Sequence, residues 1–492
     1  MRLWCLILGF FWFNAPSILA QSQPTNPYRF EVELGAFGAT TDQIPFWLRT
    51  NQYGTVPLEG PAGTARIGIA REYRADSTSP SRRGFDWGAS VYGVANTIID
   101  GETKGLLPEA YVKARFRWLE LYAGRRRELV GIGDSTLSSG FVTWSGNALP
   151  IPKIQLSMPD FVPLKFTKNF VAIKASYAHG WFNAPYIQGA FLHQKYIYAR
   201  LGKPDKRFFF YVGLNHQVQW GGRADYLKNN PVAVNGKLTT AFRDYVNLVL
   251  GRYPEEMYND QYSSFDGENR IGNHIGHFDF SAEWKSRGLN TLLYHQHIYE
   301  DASGINFFNI PDGLWGIRFR NMNPLDNQVF QLRKVVAELL TTMNQSGSVF
   351  DLRVRTQGRD NYFNHSQYRE GWSYFGRTIG TPFIMPVSDL RPETQRISGT
   401  FFPNNRVQVW YLGLEGVFMQ QIKLTAKLSY SRNYGTYNQG YVPPINQVSS
   451  LVAAQVRLPR LGGILLTGKL ATDRGGLLPS SVGGYACISK IW

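Results

Sequence analysis

Apolar and polar side chains alternate with a period of two along most of this 492-residue chain. In the segment 421–433, Ile422, Leu424, Ala426, Leu428 and Tyr430 fall on one face, while Lys423, Thr425, Lys427, Ser429 and Ser431 fall on the other. A β-strand sorts residues this way because successive side chains point to opposite faces; a helix would scatter the lysines around its axis. The same alternation runs through 112–118, 208–219, 278–285, 315–320, 350–355, 452–458 and 464–470. The segment 323–343 carries two signals. Val329, Leu332, Val335, Val336, Leu339 and Leu340 fit a helical stripe, whereas Val336, Glu338, Leu340 and Thr342 fit a strand; it is read as a strand.

Long alternating strands build either a soluble sandwich, apolar inside, or a transmembrane barrel, apolar outside. The apolar faces here often begin or end in Trp or Tyr, as at Trp87, Trp118, Trp284, Trp315, Trp410 and Tyr430, and lipid-facing barrels carry aromatic girdles at both interfaces. Short connections such as Lys203-Pro204-Asp205 and Met419-Gln420-Gln421 alternate with long polar stretches at 126–165, 221–240, 253–275 and 432–448. Together these predict an all-β fold: a transmembrane antiparallel β-barrel of about 18 strands (an even count of about 16–18), with short periplasmic turns and long extracellular loops.

Composition narrows the class further. Charged residues are 18% of the chain and aromatic residues 15%, too apolar for disorder. Beyond residue 20 no run approaches the ~18–20 apolar residues of a spanning helix. Residues 1–20 pair Arg2 with an apolar stretch from Leu3 to Phe13 and end in Ala20, the layout of a secretory signal peptide. Of the two cysteines, only Cys487 would survive cleavage, so no internal disulfide is expected. The expected organisation is a signal peptide at 1–20, an N-terminal segment at 21–84 forming first strands or a periplasmic plug, and the barrel at 85–492. The net charge is +16, from 52 Lys and Arg against 36 Asp and Glu. In an exported protein that excess points away from nucleic acid, toward anionic lipid, lipopolysaccharide phosphates or acidic polysaccharide.

Several words in the chain carry a resemblance: IPFWLRTNQYG (44–54), LPEAYVK (107–113), SSGFVTWSGNALPIPKIQLSMPDF (138–161), GLNHQVQWGG (213–222), ENRIGNHIG (268–276), YHQHIYEDASG (294–304), PDGLWGIRFR (311–320) and NYFNHSQYREGW (361–372). In order and spread, over about 28–475, the chain resembles the Wzi-like capsule-assembly family of outer-membrane proteins. The resemblance implies an integral outer-membrane barrel of about 18 strands with a lectin-like role in holding surface polysaccharide, capsule or exopolysaccharide, and it brings in polysaccharide export machinery as a partner. The best-known members carry an N-terminal helical bundle on the periplasmic side. This chain departs there, since FEVELGAFG (30–38) and ARIGIAREY (65–73) alternate like strands.

If the apolar faces meet lipid, the opposite faces line the lumen. Lys113, Arg115, Arg117, Lys285, Arg318, Arg320, Arg353, Arg355, Lys423, Lys427, Arg457 and Lys469 lie on those faces and outnumber the acids there, among them Glu109, Asp279 and Glu283. Such a lumen attracts polyanions, and Arg forks suit sugar carboxylates; the bland alternative is that these charges pair across strands. The stretch GRDNYFNHSQYREGWSY (358–374) mixes aromatic rings with amides and cations, as sugar sites do. Trp144, Tyr362, Tyr368, Trp372 and Tyr374 are the expected glycan contacts; the alternative is a loop packed on its own aromatics. His274, His277, His295 and His297 fall close together, but no completing ligand pattern accompanies them, and they are expected to be inward and hydrogen-bonded. Glu300, Asp301 and Asp312 are as ordinary in turns as in glycosidases. There is no nucleophile elbow or phosphate loop. Catalysis, metal and cofactor are therefore not expected. The competing function is an outer-membrane channel for anions or oligosaccharides.

Overall fold

The computed structural model describes residues 26–74, 84–98, 101–326, 328–349, 351, 358–396 and 399–492; the signal peptide expected at 1–20 lies outside them. Among these, eighteen strands form one antiparallel sheet. They are β1 (Tyr28–Ala39), β2 (Ala62–Arg71), β3 (Phe85–Ile98), β4 (Thr103–Phe116), β5 (Leu119–Arg125) and β6 (Lys153–Pro163), then β7 (Val171–Trp181), β8 (Phe191–Leu201), β9 (Phe208–Trp220), β10 (Asn273–Lys285), β11 (Leu289–Tyr299) and β12 (Gly313–Asn321). The last six are β13 (Phe330–Thr341), β14 (Val407–Phe418), β15 (Ile422–Gly435), β16 (Gly440–Leu458), β17 (Ile464–Gly475) and β18 (Ser481–Ile491). Each strand pairs with its sequence neighbour, and β1 pairs with β18 from Glu31↔Ile491 to Ala39↔Gly483. Closure leaves no sheet edge, which a hydrocarbon environment demands because nothing there can satisfy an unpaired backbone group.

The apolar rows face outward. Val112 is 62% exposed and Phe116 53%, while their neighbours Lys113 and Arg115 are buried. Leu428, Leu466 and Leu470 are exposed as well, with Ser429 and Ser431 buried. Burial of the polar row beneath an apolar surface is the inverse of a water-soluble sandwich and fits a wall facing acyl chains. Trp315, Trp410 and Tyr430 project near one rim, Trp87, Trp118 and Trp284 near the other, all exposed. No helix of the described residues is long and apolar enough to cross a membrane.

The start of β1 and the C-terminal residue meet on the short-turn rim, where the Phe30 N–H donates to the Trp492 carbonyl at 3.4 Å and the Trp492 N–H to Phe30 at 3.0 Å. The ambiguous segment 323–343 contains β13, a strand whose bulge between Leu332 and Lys334 breaks the alternation and produces the helix-like spacing. The polar stretch 432–448 is not a long loop. Tight pairing of Asn433 with Ile445 and Gly435 with Gly440 makes most of it hairpin. Residues 28–71 supply two barrel strands, and the connection between them enters the lumen, where Ile44, Phe46, Trp47 and Leu48 are buried.

Candidate functional site

Several loops of the long-loop rim fold inward and occupy the lumen. Those at 40–61, 126–152 and 342–406 meet there, and each is tied to the wall by polar residues of the inward rows. The Trp47 indole donates to Ser429 Oγ at 3.1 Å and the Phe46 N–H to Asp473 Oδ2 at 2.8 Å. Ile132 N–H donates to Asp279 at 3.0 Å and Val142 N–H to Gln296 at 3.0 Å. Glu338 on β13 accepts from Ser138 Oγ and from the Ser139 N–H, both at 2.7 Å, and from the Tyr294 hydroxyl. Segments 142–147 and 378–381 then pair with each other: Thr381 N–H donates to Val142 O and Ser145 N–H to Ile379 O, both at 2.9 Å. Inward polar residues therefore hold a plug made of loops.

This packing places the expected glycan contacts inside the cap. Trp144 is 6% exposed, Tyr374 1%, and Tyr362, Tyr368 and Trp372 0%. Trp372 lies 6.4 Å from Trp144 and 6.2 Å from Phe182, ring centre to ring centre, and its indole donates to Thr143 O at 2.9 Å. The Tyr362 hydroxyl donates to Asp312 at 3.1 Å, and that of Tyr368 to Gly221 O at 3.1 Å. The rings are the core of the cap and do not front a surface. Large apolar faces are worth more against each other than against water, so the loop turns them inward.

The polar residues of the same stretch front a groove on the cap. Arg359, Asp360 and Asn361 line a recess of about 250 Å³ with Thr436, Tyr437 and Asn438. Asp360 and Asn361 also line an adjoining recess of about 200 Å³, bounded by Tyr253, Phe265, Arg270, Glu300, Asp301 and His365 among others. Segments far apart in sequence build this groove: 253–272, the loop after β11, 359–365 and the turn between β15 and β16. Arg359 donates to Asn438 Oδ1 at 2.5 Å, and Asn361 Oδ1 accepts from Asn405 at 2.6 Å. The Arg270 guanidinium stacks 4.7 Å above the Tyr253 ring, and Phe265 meets His365 edge-on at 5.8 Å.

Electrostatically the groove is less acidic than its composition. Burial pushes the Glu300 carboxyl well above the usual range. Burial, reinforced by Asp301 alongside, raises Asp360, whose Oδ2 accepts from Ser346 at 2.8 Å. Burial lowers His365 to about 4, leaving it neutral. Near neutral pH the groove thus offers carboxyl and amide hydrogen bonds, two guanidinium groups and aromatic edges, a set that suits hydroxyl-rich, neutral or anionic ligands.

The inward bases divide. Lys113 pairs with Glu72 at 2.8 Å, Arg115 with Asp160 at 2.9 Å, and Arg318 reaches Glu283 at 3.7 Å and Asn290 at 2.6 Å. Lys427 stands 4.8 Å from the Trp47 ring, and Lys469 5.3 Å from the Tyr485 ring. Arg117 is not luminal: it occupies the two-residue turn between β4 and β5 with φ 57° and is exposed. Arg320 and Arg457 are likewise exposed near the short-turn rim, and Lys423 there pairs with Glu415 at 2.9 Å; Lys285, half exposed, lies 3.5 Å from Glu283. Arg353 and Arg355 lie outside the described residues. Cross-strand pairing thus consumes much of the expected free positive charge.

The histidines also divide. His277 is inward, with Nδ1 2.7 Å from Thr143 Oγ1 and Nε2 3.1 Å from Asp279, whereas His274 falls on the outward face of β10 with Phe278 and Phe280, against expectation, and contacts His216 at 2.9 Å. His295 and His297 share the outward face of β11, against expectation. His295 stacks on Trp315 at 3.6 Å and His297 on Phe307 at 4.6 Å, beneath the loop that follows β11. The expectation missed the groove residues Tyr253, Phe265, Arg270 and Tyr437. Their signal in the sequence was only a polar, aromatic-bearing loop, without period.

Comparison with known proteins bears on this site. The family described as capsule assembly protein Wzi matches residues 32–415. Among solved structures, the chain is similar to the Escherichia coli outer-membrane protein Wzi, described as involved in group 1 capsule assembly and as a carbohydrate-binding β-barrel: 14% identity, 95% of this chain and 84% of that one covered, TM-score 0.58. The outer membrane protein OprD from Pseudomonas aeruginosa is 8% identical, with 94% of this chain and 93% of that one covered, at a TM-score of 0.45. No curated protein matches the sequence.

Proposed function

The chain belongs to the Wzi capsule assembly family, and from that premise we propose that it is an integral outer-membrane barrel that binds surface polysaccharide at the cell exterior without catalysing its conversion. The observation that carries this reading is the groove on the loop cap, where Arg359, Asp360 and Asn361 join Tyr437 and Asn438 on one side and Phe265, Arg270 and His365 on the other. Its amides and carboxyls match sugar hydroxyls, its rings match the apolar C–H faces of pyranoses, and its guanidinium groups add preference for acidic units. The polymer class proposed is an acidic polysaccharide, capsule or exopolysaccharide, delivered by export machinery and held beside lipopolysaccharide in the outer leaflet. A channel reading is disfavoured by the loops that occupy the lumen.

Deleting the gene and complementing it with Arg359→Ala, Asn361→Ala and Tyr437→Ala combined tests the reading. The wild-type copy should keep polymer on the cell and the triple variant should shed it, with at least a roughly tenfold loss of polymer affinity for the purified protein. Equal cell-bound and shed fractions in the deletion and wild-type strains would refute polymer holding. Retention by the triple variant would move the contact away from this groove.

A further inference from the structure

The cations of the lumen are not all neutralised. On β4 to β6 and the loop between them the charges close on one another: Lys113 with Glu72, Arg115 with Asp160, Arg126 with Glu120 and Lys153 with Glu128. On β7 and β8 they do not. Lys174 and Arg200 have no carboxylate within ion-pair distance among the described residues. Lys174 Nζ lies 5.8 Å from the Tyr196 ring, the Arg200 guanidinium 5.5 Å from the rings of Phe161 and Phe209, and the partly buried Arg200 Nε–H has no hydrogen-bond partner among the described residues. Cationic groups withdrawn from water without an acid are costly unless something else supplies the countercharge.

Beside Lys174 lies a cavity of about 260 Å³, lined by Lys174, Arg318, Phe161, Tyr196, Tyr211 and Glu283 among others, and roofed by the chain at 129–133; the Arg318 Nε–H there has no hydrogen-bond partner among the described residues. The roof is the plug. Its Gly131, at φ 140°, packs where a Cβ would lie 2.2 Å from the Gln296 amide, and Ile132 is tied to Asp279. The walls come from β6 to β12, mostly from their short-turn halves, on the opposite side of the roof from the groove on the cap. Glu283, the acid in the wall, is engaged by the Tyr211 hydroxyl at 2.6 Å and Asn290 at 2.8 Å. Phe161 and Tyr211 meet at 5.6 Å and 63°, presenting an aromatic corner.

We propose that this cavity is a second saccharide subsite, reached from the short-turn side, which takes a single sugar unit bearing a carboxylate. Lys174 and Arg318 would meet the carboxylate, and the corner of Phe161 and Tyr211 the C–H face of the ring. The proposal rests on the polysaccharide-binding reading and adds to it an acidic substrate class and a site on the opposite side of the plug. Two sites on opposite faces of a closed plug engage the polymer, or units of it, independently.

Saturation-transfer NMR of the purified full-length barrel in detergent tests this, with glucuronic acid as probe, glucose as the neutral control and inorganic phosphate as the bare anion. Glucuronic acid should bind, glucose should bind at least roughly tenfold more weakly, and phosphate should compete poorly. Lys174→Met, and separately Arg318→Gln, should weaken glucuronic acid roughly tenfold or more, the loss expected for one charge-assisted hydrogen bond, while Asn361→Ala on the cap leaves it unchanged. Heat-modifiable migration of each variant on a detergent gel confirms an intact barrel. Unchanged affinity in both cation variants, glucose binding as tightly as glucuronic acid, or phosphate competing equally would overturn the subsite. Loss of glucuronic acid only on Asn361→Ala would also overturn it, while leaving the cap groove and the polysaccharide-binding reading in place.

Discussion

Asp266 shows how single residues bind one extracellular loop to another. It lies in the loop after β9, is 2% exposed, and both its oxygens accept from Gln367 Nε2 at 3.0 Å. Burial pushes its carboxyl up to about 7. Burial raises Asp312 to about 6 in the same way, whereas at Asp389 the guanidinium groups of Arg49 and Arg377 outweigh burial and hold the carboxyl low. The folded cap therefore keeps a proton on Asp266 that the unfolded chain releases near the ordinary Asp value. A raised acid of this kind stabilises the fold below that ordinary value, and its contribution is lost as the pH rises through about 7. The thermal midpoint of the cap, followed by near-ultraviolet circular dichroism, should fall between pH 5 and pH 8. Asp266→Asn, neutral throughout, should flatten that slope; an unchanged slope would remove Asp266 from the linkage.

At the scale of elements, strands and loops differ in how far sequence reveals them. A strand face is set by its own alternation, so β15 could be read from Ile422 to Tyr430 without reference to any partner. The bulge in β13 blurred that reading, because one extra residue shifts every later side chain to the other face. Loop 342–406 has no period, and its rings could be assigned to sugar or to core with equal ease. Packing decided for core, since Trp372 lies near both Trp144 and Phe182. Trp372→Ala should therefore open a cavity and leave Thr143 O without its donor, costing about 3–5 kcal/mol. The expected readout is rapid protease nicking within 342–406, with heat-modifiable migration of the barrel retained. Nicking at the wild-type rate would mean the ring is not structural.

At the scale of the whole molecule, the closed wall and the plug are separable. Backbone pairing around the closed sheet fixes the wall, whereas the plug hangs on a few buried polar contacts, of which Glu338 collects three. Wild-type protein in planar bilayers should conduct little. Glu338→Ala leaves Ser138, Ser139 and Tyr294 without their shared acceptor, at roughly 1–3 kcal/mol for each donor left unsatisfied. It should release the loop at 126–152 and give larger, fluctuating openings, with Glu338→Gln in between. A large steady current through the wild type would show the lumen is not blocked.

The sequence by itself determined the wall: which rows face lipid, an antiparallel barrel of about 18 strands, and the family word by word. These follow from local periodicity and composition, since each strand carries its own two faces wherever it pairs. Only the tertiary structure decided what fills the barrel and which groups remain free to bind. Whether Tyr362 is a contact or a core ring, whether Arg115 is neutralised and Lys174 is not, and whether Arg359 meets Asn438 depend on residues tens or hundreds of positions away. Their energies come from burial and pairing in three dimensions, which no local pattern encodes.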